Sequence, residues 1–144
     1  MSAMEARRPT RPETAAERRI RQSADALCAA VERRMDDVIR LVEAETMLVR
    51  EGKLFAIKEL EPAKTKAARD FISGLEAVKK IRPGLERFAP DAIYRLRRRH
   101  SEFRSMLQLS LAALATAKAA SDQMVRSISD NAAMDDDADS HDAI

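Results

Sequence analysis

The chain is poor in the residues that build compact enzyme pockets. Aromatics make up only 3% of its 144 residues, with no Trp and one Tyr, so a core must come from Leu, Ile, Val, Met and Ala. Few bulky anchors suit helix pairs better than a deep ligand pocket. Three glycines, at 52, 74 and 84, are isolated from one another, which excludes both a G-x-G-x-x-G turn and a G-x-x-x-x-G-K-[ST] loop. The "EGKL" stretch around Gly52 therefore reads as a structural turn, since one glycine with no strand before it cannot cradle a phosphate. The single Cys28 excludes an internal disulfide and fits a reducing compartment. Its apolar neighbours Leu27, Ala29, Ala30 and Val31 make it a packing residue. No apolar run reaches membrane-spanning length: the longest uncharged stretch, Ser105–Ala117, falls short of the ~20 residues required. The N-terminus has arginines but no apolar core of a secretory signal, so a cytoplasmic location is expected.

What remains is rich in helix formers. Apolar residues at 45% and charged residues at 35%, with abundant Ala, Leu, Glu, Lys and Arg, favour long amphipathic helices in one all-α domain. The net charge of +2 conceals an uneven distribution: residues 1–21 hold six Arg against three Glu, and 130–144 hold six Asp with no Lys or Arg. Neither end has apolar periodicity, so the expected organisation is a flexible basic arm over 1–13, a helical domain over 14–129 and an acidic disordered tail over 130–144.

Helix one is predicted to begin at Thr14, which forms a T-x-x-E capping box with Glu17. Leu27, Val31, Val38, Leu41 and Leu48 then recur in alternating steps of three and four, with Arg34 and Glu45 at two seam positions. Met35, Val42 and Val49 widen this stripe. Arg50 followed by Gly52 supplies the stop. The second helix is expected to be kinked or split at Pro62: a short segment over 53–60 carrying Leu54, Ile57 and Leu60, then a helix carrying Phe71, Leu75 and Val78 to about Ile81. Arg82-Pro83-Gly84 is read as its end and Leu85–Phe88 as a turn. Pro90-Asp91 starts a third helix carrying Ile93, Leu96, Phe103, Leu107, Leu111, Leu114, Met124, Val125 and Ile128. Helices one and three are predicted at about 36–38 residues, roughly 55 Å. The expected architecture is an elongated antiparallel bundle of three main helices with disordered termini.

The remaining motifs are weak as chemistry. "RLRRRH" over 95–100 wraps around the helix instead of forming one stripe, and Glu102 follows it, so a solvated face is favoured over nucleic-acid contact. His100 sits at a seam position between Leu96 and Phe103 with no catalytic partner indicated. Asp135, Asp137 and Asp139 alternate like the start of a calcium loop, but position six is Ser140 rather than Gly. No metal site, cofactor or enzymatic constellation is therefore expected. Glu45 and Lys64 either pair across the hairpin or sit at its boundary; Pro62 leaves their register open. The segment 105–128 is apolar on more than one side and rich in Ala, which fits either bundle core or a face that receives an amphipathic partner helix.

The stretch "LVEAETMLVREGKLFAIKELEPAKTKAARDF" resembles the signature of FlgN-like flagellar export chaperones, through Leu41, Glu45, Leu48, Gly52, Leu60 and Lys64. Helices over about 20–128 have the order and length of that family, and the Asp-rich end departs from its pattern. The resemblance implies a cytoplasmic, non-enzymatic α-helical chaperone. Such a protein holds hook–filament junction proteins before their export through the flagellar type III apparatus, whose components are further implied partners. It also implies that amphipathic helices of the clients bind the C-terminal helix, here through Leu107, Leu111, Leu114, Met124, Val125 and Ile128. Two other classes stay open: a structural helical-bundle or coiled-coil module, and a small helical regulator using Arg95, Arg97, Arg98 and Arg99 against an acidic partner or nucleic acid.

Overall fold

The computed structural model describes residues 11–142, with side chains described over 11–135. Residues 1–10 of the expected basic arm lie outside the described residues. Among the described residues three helices form the fold: α1 (Ala15–Arg50), α2 (Leu54–Phe88) and α3 (Pro90–Asp142).

Local chemistry sets the boundaries. Thr14 is the N-cap of α1, its Oγ1 accepting from the Glu17 N–H at 3.1 Å. The reciprocal half of the capping box is absent, because the Glu17 carboxylate pairs with Arg11 instead. At the other end Gly52 has φ 69°, the left-handed conformation that glycine takes without a Cβ penalty. The Gly52 N–H donates to the Val49 carbonyl at 3.1 Å and the Lys53 N–H to the Leu48 carbonyl at 3.0 Å. That pair of bonds is a Schellman motif, and it turns the chain sharply back into α2.

The second helix differs from the expectation. It is not split at Pro62, nor does it end at Arg82-Pro83-Gly84; both prolines lie inside a continuous helix, and Leu85–Phe88 is its last turn. Each proline removes one backbone donor, but Pro62 and Pro83 are exposed, as are Lys58 and Lys79 four residues before them. The carbonyls left without an intrahelical partner therefore face water, and packing of α2 on α1 offsets the local cost. A single residue, the buried Ala89, joins α2 to α3, whose first residue is Pro90. Helical geometry in α3 runs past the boundary expected at 129, through Asp142, in a stretch whose residues from Asp122 to Asp135 are all exposed.

α1 is the central helix. It runs antiparallel to α2, as shown by ion pairs from Arg34 to Asp70 and Glu45 to Lys64, and parallel to α3, as shown by those from Asp25 to Arg95, Asp36 to Arg99 and Glu45 to Lys118. Its fully buried line is Ala24, Cys28, Val31, Met35, Ile39, Val42 and Val49. Leu27, Val38, Leu41 and Leu48, expected as the main seam, are only half-buried. The reason is that α1 serves two neighbours. Leu41 faces Ala63 and Ala67 of α2, whereas Met35 and Ile39 face Phe103 of α3. Residues read as a widening of one stripe are a second seam. Gly74 permits close approach of α2, since a Cβ there would stand 3.0 Å from Val31 Cγ2.

The seam of α3 recurs in alternating steps of three and four: Leu96, His100, Phe103, Leu107, Ser110, Leu114, Ala117 and Ser121 are all buried or half-buried. This is the spacing by which helices pack side by side in coiled coils. A polar layer interrupts the apolar core. Glu45 is 2% exposed, its Oε2 lies 2.8 Å from Lys64 Nζ of α2, and its Oε1 lies 3.6 Å from Lys118 Nζ of α3. The Lys64 contact is close in distance but not aligned as a hydrogen bond, so the oxygen is held chiefly by charge. Thr46 beside it donates to the Val42 carbonyl at 2.9 Å. Of the two arrangements left open for Glu45 and Lys64, the structure has the pair.

Candidate interaction surface

The six residues assigned to client contact do not form one surface. Leu114 is 7% exposed and packs with Val42, Val49 and Ala117, and the half-buried Leu107 packs against the same core. These two belong to the bundle, because α1 already occupies the face they were expected to offer. Leu111 is partly open on the flank of α3. Met124, Val125 and Ile128 are 66%, 60% and 63% exposed.

The change occurs where α1 ends. Val49 and Gly52 share a groove with Ala117, Ala120, Ser121 and Met124 of α3. On the other side of α3, Leu54 and Ile57 at the start of α2 share a groove with Lys118, Ser121 and Asp122. The hairpin corner thus reaches the level of Ser121 to Met124, and beyond it neither α1 nor α2 accompanies α3. Positions 124 and 128 nevertheless continue the three-and-four spacing of the covered seam, with Val125 beside them. The exposed Leu54 stands at the tip of the hairpin next to this overhang, and Phe55, 84% exposed, follows it. Phe55 was not singled out from the sequence; an aromatic one turn past a glycine corner was the only signal.

Other candidates are accounted for within the bundle. Each arginine of the 95–99 run has a carboxylate: Arg95 with Asp25 at 3.7 Å, Arg97 with Glu86 at 3.0 Å, Arg98 with Glu102 at 3.5 Å and Arg99 with Asp36 at 2.8 Å. The run wraps the helix to reach these partners and does not converge on one basic face. His100 packs beside the Phe71 and Phe103 rings, with centroids 6.2 and 6.4 Å away, and those two rings lie 4.9 Å from each other. Burial, aided by the charges of Arg104 and Lys79, holds its imidazole below the ordinary value and so favours the neutral form. Cys28 is buried, and desolvation, followed by the Glu32 and Asp25 carboxylates, pushes its thiol upward, the opposite of an activated thiolate.

Among the described residues, no group of His, Cys, Asp and Glu is placed to hold a metal ion, and no helix is long and apolar enough to cross a membrane. Comparison of the chain with protein-family models, with characterised proteins and with solved structures found no match.

Proposed function

We propose that this chain is a cytoplasmic chaperone of the FlgN type, which captures an amphipathic helix of a hook–filament junction protein before flagellar export. The observation that carries the reading is the overhang of α3. Its apolar seam outlasts the bundle and leaves Met124, Val125 and Ile128 open on the C-terminal helix that the family resemblance designates. A client helix laid along the seam takes the place that α1 holds upstream. Burial of these three side chains contributes ~1.5–3 kcal/mol each before ordering costs, so reversible binding near the micromolar range also draws on the apolar surface the client helix itself buries and on Leu54 at the hairpin tip. Such affinity suits a protein that must both shield a client and surrender it.

The client-contact set is accordingly revised to Met124, Val125 and Ile128, with Leu111 at its margin. Leu107 and Leu114 hold α3 to α1, and their burial also fits a purely structural helical module. Co-expression with hook–filament junction proteins from the same organism separates the two readings. Co-purification of a stable complex supports the chaperone; folded protein that retains none of them supports the structural module.

A further inference from the structure

The overhang differs from the rest of the molecule in charge as well as in exposure. The whole chain carries +2, yet residues 122–142 hold seven Asp against a single Arg, Arg126, and no Lys. This stretch is about 30 Å of helix at 1.5 Å per residue. Left in water, this stretch gathers charges of one sign and leaves its described apolar positions, Met124, Val125, Ile128 and Met134, exposed. Both features are relieved by the same kind of neighbour, one that brings an apolar stripe flanked by positive charge.

Two occupants from within the same protein fit poorly. A second copy laid overhang to overhang brings two strongly acidic helices together, and like charges at close range oppose the contact. The basic N-terminal segment begins at the opposite end of α1 from the hairpin corner. Three of its described arginines are engaged there, Arg11 with Glu17 and both Arg18 and Arg21 with Glu13. Residues 11–14 before α1 also include no large apolar side chain to fill the seam.

We infer that the α3 overhang selects a basic amphipathic helix from another protein. The partner's apolar stripe covers Met124, Val125 and Ile128 and continues the seam beyond Ser121. Its Lys and Arg face Asp122 on one flank and Asp135 where the seam runs on, and its end abuts Leu54 at the hairpin tip. The inference rests on the chaperone reading for the idea that a foreign helix is captured, and adds the charge by which that helix is chosen. Apolar burial supplies most of the affinity; the acidic flanks supply selection and faster encounter.

The test uses the full chain and two designed helical peptides with the same Leu/Ile stripe, one flanked by Lys and Arg and the other by Asp and Glu. Binding is followed by fluorescence anisotropy at low and at physiological salt. The basic peptide is expected to bind about tenfold more tightly at low salt, as a few exposed ion pairs allow, with the gap narrowing as salt rises. Asp122→Asn with Asp135→Asn shrinks the gap, and Ile128→Asp weakens both peptides without changing the melting temperature. Equal binding of the two peptides, preference for the acidic one, or binding of neither overturns the inference. So does sedimentation of the protein alone as a dimer that Ile128→Asp dissociates, which assigns the strip to a second copy. Equal binding alongside co-purified junction proteins removes charge selection and leaves the chaperone reading intact. Selective binding without co-purification retains the strip and removes that class of client.

Discussion

Lys64 of α2 places its ammonium 2.8 Å from a carboxylate oxygen of Glu45, a side chain buried near the C-terminal end of α1. Lys118 of α3 approaches the other oxygen at 3.6 Å, so one carboxylate touches both neighbouring helices. A buried charge is costly unless paired, and here the pairing fixes how α2 and α3 slide along α1.

Glu45→Ala is therefore expected to destabilise the bundle by about 2–3 kcal/mol, below the figure for a fully buried pair because both lysines retain contact with water. Glu45→Met combined with Lys64→Met restores most of the loss, since the packed apolar pair leaves no orphan charge. Urea denaturation followed by far-UV circular dichroism measures both. Equal stability of Glu45→Ala and the parent would mean that the layer contributes nothing.

Gly52→Ala is expected to cost about 1 kcal/mol. No atom lies within 4 Å of the Cβ it would add, so the cost is the left-handed backbone alone. A thermal melt lowered by a few degrees, with unchanged helicity, is the outcome sought; no shift would mean that the corner accepts another conformation.

Leu114→Asp and Val125→Asp separate the two halves of α3. The first places a carboxylate in the seam against Val42 and Val49 and should unfold the protein or lower its stability by several kcal/mol. The second lies on exposed helix and should change stability by less than about 0.5 kcal/mol. Differential scanning calorimetry of the two variants decides it, and a large loss of stability in Val125→Asp would show that the overhang is covered in the free protein.

His100 links the fold to pH. Burial, with Arg104 and Lys79 nearby, depresses its folded-state value, so the unfolded chain binds the proton more readily. Stability from this site is present above the unfolded value of about 6.5 and is lost as pH falls through the lower folded value. The melting temperature should fall between neutral and mildly acidic pH, and His100→Gln should flatten that slope. An identical slope in the variant would assign the dependence to other groups.

Much of this fold was legible from local chemistry. The Thr14 cap, the left-handed Gly52 and the Pro90 start depend on a few adjacent residues, and each appears where its chemistry put it. Pro62 and Pro83 misled because their cost depends on whether the freed carbonyls meet water, a tertiary property. The seam of α1 was displaced for a similar reason: a stripe of apolar residues reveals which side chains are buried, not that two helices share them. The site was half legible. Met124, Val125 and Ile128 stand out in the sequence, but so do Leu107 and Leu114 at the same spacing. Only the point where α1 turns away divides covered seam from open seam.

The most direct test is the affinity of a purified hook–filament junction protein for the full chain and for Ile128→Asp, measured by isothermal titration. Binding near the micromolar range or tighter is predicted for the parent, with at least tenfold weakening in the variant at unchanged helicity. Equal affinity of the two, or no binding by the folded parent, would contradict capture by the α3 overhang.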